Sequence, residues 1–210
     1  RFRQILLANM VGECYHEDAS ARSGQRKERN MHKLENPLRV AELNPPETLR
    51  RIGLTPGDRL LDVGAGTGLF AFEAAQQTQG MVYAVEISLE MLRLLTERKE
   101  SAGLQNVQVV DGIENAPDNA CDLALMCTVL HELEQPERVL GHIRRILRPG
   151  GRLAVIEFHD RVTPMGPPPS HRIGSARASE MLSVAGFSAE GAFELGENLY
   201  CLTVLSPAAL

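Results

Sequence analysis

The stretch LLDVGAGTGLF, residues 60–70, decides how the rest of the chain is read. A short apolar run ends in glycines at alternate positions, Gly64, Gly66 and Gly68, and a second apolar segment follows at once. The run has the length of a buried strand, and the glycines let its exit loop turn sharply with no Cβ between backbone and ligand. A helix beginning after the loop offers unpaired N–H groups to something anionic.

Outward from this stretch the same grammar repeats. RLLDV (59–63), MVYAVEI (81–87), VQVVD (107–111), CDLALMC (121–127) and RLAVIEF (152–158) predict five buried strands. Between them lie helical segments: Leu69 to Thr78, then SLEMLRLLTERKESAGL with Ser88 as N-cap and Gly103 as stop. The last, PERVLGHIRRILRPGG, sets Val139, Leu140, Ile143, Ile146 and Leu147 on one face. Strands separated by helices of this length pair in parallel through right-handed crossovers. A Pro-rich loop, TPMGPPPSHRIG (163–174), and a helix over 176–185 follow. Two further β runs, FSAEGAFEL and NLYCLTVLS, joined tightly at Gly196-Glu197, predict an antiparallel hairpin at the sheet edge. The expected fold class is α/β: a doubly wound, seven-stranded, mostly parallel sheet with an antiparallel C-terminal hairpin.

Upstream, NPLRVAELNPPETLRRIGL (36–54) predicts two short helices parted at Asn44, with prolines in the first turn where they are tolerated. Residues 13–33 are polar and aperiodic, so residues 1–35 are expected to be a flexible arm or lid and 36–210 a single domain. The 210 residues are 43% apolar and 23% charged, an ordinary globular composition. A net charge of -5 disfavours a protein that binds nucleic acid by neutralising phosphates. Four cysteines without C-x-x-C spacing suit a reducing cytoplasm, no stretch has the length of a membrane span, and RFRQILLANMVGEC (1–14) matches a secretory signal incompletely. The histidines at 16, 32, 131, 142, 159 and 171 show no metal-ligand spacing, so no metal is expected.

A dinucleotide loop reads G-x-G-x-x-G, whereas this one reads G-x-G-x-G with Leu69 where the third dinucleotide glycine belongs. Glu86 closes the second strand 18 residues beyond Gly68, where a carboxylate accepts hydrogen bonds from both hydroxyls of an unphosphorylated ribose. The combination points to an adenosine-type ligand and away from NADP.

Four runs in order, LLDVGAGTG, VYAVEIS, CDLALMCTVLHEL and ILRPGGRLAVIEF, resemble a class I S-adenosylmethionine-dependent methyltransferase with a Rossmann-like fold, of the small-molecule group that includes the ubiquinone and menaquinone C-methyltransferases. The resemblance implies S-adenosyl-L-methionine as cofactor, S-adenosyl-L-homocysteine as product and a small-molecule acceptor as partner. It implies that Asp62 and the loop Gly64, Ala65, Gly66 and Gly68 hold the methionine portion, Glu86 the ribose and Ile87 one face of the adenine. Asp111, Gly112 and Ile113 would meet the adenine edge, and the backbone of Cys127 would lie near the cofactor. The chain departs from the family pattern here, because the usual acidic position falls on Gly112 and the carboxylate sits one residue earlier at Asp111.

Methyl transfer needs no obligatory catalytic side chain, since positioning alone removes much of the barrier; a base is required only when the acceptor must lose a proton. Just past the fourth and fifth strands lie His131, Glu132, Glu157 and His159, with His131 the candidate catalytic base. His131, His159, His171 and Arg172 are the candidate substrate contacts around the Pro-rich loop, which itself resembles a segment of uncharacterised prokaryotic methyltransferases. Asn44-Pro45-Pro46 imitates the motif of amino-directed methyltransferases but lies far from the fourth strand where that motif belongs. No trio of thiols forms, which disfavours an arsenite methyltransferase. The competing reading from another class is a non-catalytic adenosyl-ligand-binding protein on the same fold.

Overall fold

The computed structural model describes residues 34–208. The arm expected over residues 1–35 therefore lies outside the described residues, apart from Leu34 and Glu35. Helices α1 (Pro37–Leu43) and α2 (Pro45–Arg51) meet at Asn44, whose φ of 38° ends one helix and starts the next. The Asn36 side chain accepts the Leu38 N–H at 2.9 Å and caps α1.

Five strands follow in the predicted order: β1 (Leu60–Val63), β2 (Val82–Glu86), β3 (Val107–Asp111), β4 (Cys121–Cys127) and β5 (Leu147–Phe158). Helices α3 (Leu69–Gln77), α4 (Leu89–Ser101) and α5 (Pro136–Ile146) cross between them, and α6 (Ser175–Val184) precedes the hairpin β6 (Ser188–Leu195) and β7 (Leu199–Leu205). The sheet order is β3-β2-β1-β4-β5-β7-β6, with β7 antiparallel to both neighbours and the remaining pairs parallel. The order in which strands are added along the sheet therefore reverses between β1 and β4, the position where ligands bind in doubly wound sheets.

The apolar alternation explains the two faces. Leu60 is buried in a cluster with Leu43, Leu49, Phe70 and Ala74, whereas its neighbour Leu61 joins Leu140, Ile143, Ala178 and Leu182 on the opposite face. Asp62, two residues from Leu60, thus points beneath the start of α3. Strand β5 begins at Leu147, earlier than the run 152–158 suggests, because Leu147 pairs with Cys121 before the register shifts to Leu123 opposite Arg152. Gly150 and Gly151 then exchange hydrogen bonds with the chain after β7, Gly150 donating to the Pro207 carbonyl at 3.1 Å and Gly151 accepting from Ser206 at 2.7 Å. Among the described residues no helix is long and apolar enough to cross a membrane.

Candidate active site

The glycine loop is held open by backbone bonds to β2. Gly64 and Ala65 both donate to the Val85 carbonyl at 2.9 Å, and Gly68 turns back to donate to the Ala65 carbonyl at 2.8 Å. All three glycines have positive φ, +73° at Gly64, +55° at Gly66 and +88° at Gly68, where L side chains are strained. Their surroundings differ. A Cβ on Gly64 would fall 2.6 Å from a Val129 methyl and one on Gly68 would enter the Phe72 ring, but on Gly66 the nearest atom is Leu34 Cδ1 at 3.4 Å. The outer glycines are thus fixed by packing, whereas a Cβ on the middle one would meet the described residues only in ordinary van der Waals contact.

Beneath the loop, Asp62 is buried, and one of its oxygens, Oδ2, has no hydrogen-bond partner among the described residues. Burial pushes its pKa up to about 7, against an N–H from Ala71 in the first turn of α3 that favours the charged form and a nearby Glu86 that opposes it. An orphaned buried carboxylate oxygen is a costly feature that a donor-bearing or cationic ligand group would relieve.

Glu86 sits on the other side of the loop. One oxygen accepts the Gly66 N–H at 3.0 Å, and the other accepts the N–H groups of Ile87 at 2.8 Å and Ser88 at 2.9 Å. The next residue, Ile87, is 57% exposed, an apolar side chain offered to a flat partner. Across from it Gly112 adopts φ +88° and donates to the Glu86 carbonyl at 3.2 Å, while Ile113 is buried and Asp111 exposed. The predicted adenosine-side residues Glu86, Ile87, Asp111, Gly112 and Ile113 are thereby brought together at the ends of β2 and β3.

One residue here has no signal in the local sequence pattern. Arg39, on α1, donates to the Leu34 carbonyl at 2.9 Å and to the Thr128 hydroxyl at 3.2 Å, and reaches 4.0 Å from the Cys127 thiol at the end of β4. Among the described residues no carboxylate pairs with this guanidinium, and Thr128 itself is held at φ 55°, a strained value for a β-branched residue. Glu35 pairs with Arg98 on α4, so the start of the described chain is tied down over the loop while Arg39 spans its far side. Cys127 is desolvated and its thiol is pushed up to about 12, which leaves it protonated.

At the C-terminal end of β5, Glu157 is fully buried. Its oxygens lie 3.0 and 2.8 Å from His131 Nδ1, and it also accepts the backbone N–H of His131 and of Phe158, each at 3.2 Å. Desolvation lowers the His131 pKa, but the hydrogen bond and charge of Glu157, with Glu132, outweigh it, so the net direction is up. His159 meets Glu194 at 2.6 Å and packs on the Tyr200 ring, whose hydroxyl donates to the Ile173 carbonyl at 2.6 Å. His171 lies exposed on a single 3-10 turn. Arg172 spends its donors on the Pro-rich loop, on the carbonyls of Pro167, His159, Arg161 and Met165 and the Thr163 hydroxyl, at 2.6 to 3.1 Å. It therefore braces the loop carrying His171.

Comparison with known proteins agrees with this geometry. Residues 61–155 match the family described as a methyltransferase domain. A solved S-adenosylmethionine-dependent methyltransferase from Aquifex aeolicus superposes with a TM-score of 0.79 at 29% identity, covering 84% of this chain and 96% of that one. Over residues 61–155 and in its fold, the chain is similar to class I S-adenosylmethionine-dependent methyltransferases. Among curated methyltransferases, the ubiquinone/menaquinone biosynthesis C-methyltransferases of Francisella philomiragia and Cupriavidus taiwanensis are 31% and 32% identical over 125 and 115 residues. These alignments cover 57% and 53% of this chain and 50% and 47% of those enzymes, so the chain spans about half the length of the curated relatives it matches.

Proposed function

We propose that this methyltransferase domain binds S-adenosyl-L-methionine at the loop 64–68 and transfers its methyl group to a small-molecule acceptor, releasing S-adenosyl-L-homocysteine. The partnerless Asp62 Oδ2 carries the reading. It is a buried carboxyl oxygen beneath the glycine loop, placed where an ammonium group is the natural partner. When bound, the cofactor supplies a methyl carbon activated by a sulfonium.

The residues of this chain fit that group from end to end. Asp62 would take its ammonium and Arg39, which has no acid partner among the described residues, its carboxylate. The N–H groups of the glycine loop and the backbone at Cys127 would border the methionine chain. Glu86 would exchange its present backbone contacts for the two ribose hydroxyls, and Ile87 with the Asp111–Gly112–Ile113 segment would enclose the adenine. His131, His159, His171 and Arg172 would lie on the acceptor side, with Arg172 acting through the loop it braces. The domain is assigned to residues 36–210 and the cytoplasm is its proposed compartment, in keeping with free thiols at Cys121, Cys127 and Cys201.

Isothermal calorimetry with S-adenosyl-L-homocysteine tests the reading. Saturable binding with one site is expected, and its absence at millimolar ligand overturns the assignment. Transfer of labelled methyl to any small acceptor separates catalysis from a binding-only role.

A further inference from the structure

Resting on that reading, we infer that His131 and Glu157 form a proton-accepting pair, and that the acceptor is a molecule whose nucleophilic atom carries a weakly acidic proton, an enolic or phenolic O–H or an enolisable C–H, in place of a neutral amine or thioether. The geometry separates the two imidazole nitrogens. Nδ1 is gripped by both Glu157 oxygens, at 2.8 and 3.0 Å. Among the described residues Nε2 makes no hydrogen bond, its nearest anion being Glu132 Oε1 at 3.9 Å. A carboxylate accepts and cannot donate, so Nδ1 carries the hydrogen and Nε2 is left with its lone pair. An imidazole serving only as a structural strut would have both nitrogens satisfied, or the second one in bulk water. Here the side chain is only 9% exposed, and Nε2 has no hydrogen-bond partner among the described residues.

Glu157 is fixed more firmly than an ion-pair partner requires. It is completely buried and receives two backbone N–H groups, from His131 and from Phe158, in addition to the ring. The imidazole therefore keeps one tautomer and one orientation through a catalytic cycle, and Glu157 acts as a positioning residue through His131. The pair lies at the ends of β4 and β5, two residues from Val129, whose methyls pack on Gly64 of the donor loop.

The step balances with no further reactant. The acceptor's O–H or C–H bond breaks and the proton passes to the Nε2 lone pair. The electron pair left on the acceptor forms the bond to the methyl carbon, and the carbon–sulfur bond breaks with its electrons returning to sulfur. The imidazolium, stabilised by Glu157, then gives its proton to solvent. A neutral amine attacks through a lone pair it already has, so such a base offers it little advantage.

The charged groups facing the ring are Glu157 from β5, Glu132 from its own turn and Arg172 from the Pro-rich loop, and the carboxylates prevail. Transfer should accordingly rise with pH through a midpoint above the ordinary histidine value.

The test combines three measurements on the full chain. Homocysteine-product binding by calorimetry in the wild type, His131→Gln and Glu157→Gln checks the donor site alone, and affinity within about threefold is expected for both variants. Labelled methyl transfer is then measured against simple phenols, cyclic 1,3-diketones and primary amines. Transfer to the first two classes is expected, falling about 10²- to 10⁴-fold in His131→Gln. Glu157→Gln should move the pH midpoint downward, and Glu157→Asp should restore part of the rate. Long-range ¹H–¹⁵N spectra of histidine-labelled protein should show hydrogen on Nδ1 of His131, independent of any acceptor. In a chain that binds the product, the pair has no such role if amines are labelled in preference, if no proton-bearing acceptor is labelled, if His131→Gln is unimpaired, or if hydrogen sits on Nε2. Failure of product binding in the wild type instead removes the proposed function itself.

Discussion

The Glu86 carboxylate holds the Gly66 N–H at 3.0 Å, joining the end of β2 to the centre of the glycine loop. Gly66 is also the loop glycine at which a Cβ would clash with none of the described residues, so the carboxylate that shapes the loop sits beside its least crowded point. Glu86→Gln keeps the reach but replaces one accepting oxygen by an amide NH₂, which can accept neither the Gly66 N–H nor a ribose hydroxyl. Hydrogen bonds to a charged group contribute about 1.5–3 kcal/mol, so affinity for S-adenosyl-L-homocysteine should fall roughly 10- to 100-fold. Calorimetry checks this, and unchanged affinity would mean that the ribose lies elsewhere.

Arg39 offers a sharper test because two ligands can be compared on one protein. S-Adenosyl-L-homocysteine carries the amino-acid carboxylate, and 5′-methylthioadenosine has the same adenosine and sulfur without it. Arg39→Gln should weaken the first about tenfold or more and leave the second nearly unchanged, since charge-assisted contacts exceed neutral ones by about twofold in strength. Equal losses for both ligands would assign Arg39 to holding α1 against Thr128, with no carboxylate contact.

Much of this site was legible in the sequence because its residues lie next to the strands that carry them. Asp62, the three glycines, Glu86 and Gly112 each sit at or just past a strand end, and the buried apolar runs locate those ends. Arg39 was illegible for the opposite reason. Its partner Thr128 is 89 residues away, and the surrounding PLRVAEL shows only a short helix. Arg172 shows a further limit, since position at the rim suggested a substrate contact while its hydrogen bonds join it to the carbonyls of its own loop. His131 and Glu157 were both visible as candidates, but their pairing depends on the parallel register of β4 and β5.

Asp62 should trade stability for binding, with a pH signature. Its folded-state pKa of about 7 lies above the ordinary 3.8, so the native state holds a proton that the unfolded chain has lost. Stability therefore falls as pH rises from about 4 to 7 and is level above that. The full shift corresponds to about 4 kcal/mol. Asp62→Asn removes the buried charge, and its amide oxygen can still accept the Ala71 N–H. Ligand-free Asp62→Asn should match the wild type near pH 4 and exceed it increasingly up to pH 7 and beyond, while binding S-adenosyl-L-homocysteine at least tenfold more weakly. Thermal melts across pH 4–8 read the first effect; a stability gap independent of pH would show that Asp62 is not the group being neutralised.

Gly64 and Val129 should prove coupled. Alanine at position 64 incurs two separable costs, a positive φ of +73° that a Cβ disfavours and a contact 2.6 Å from the Val129 Cγ2 methyl. The first amounts to about 1–2 kcal/mol and belongs to the backbone, so no change at Val129 can relieve it. The second belongs to the pair. Val129→Ala removes the clashing methyl at the cost of a small void against the core cluster beside it. The double variant should thus be less destabilised than the sum of the two single changes, by about 0.5–3 kcal/mol, as contacting residues commonly are. Urea midpoints of the four proteins give the coupling directly. Strict additivity would mean that Val129 moves aside freely, and that Gly64 is required for its backbone angle alone.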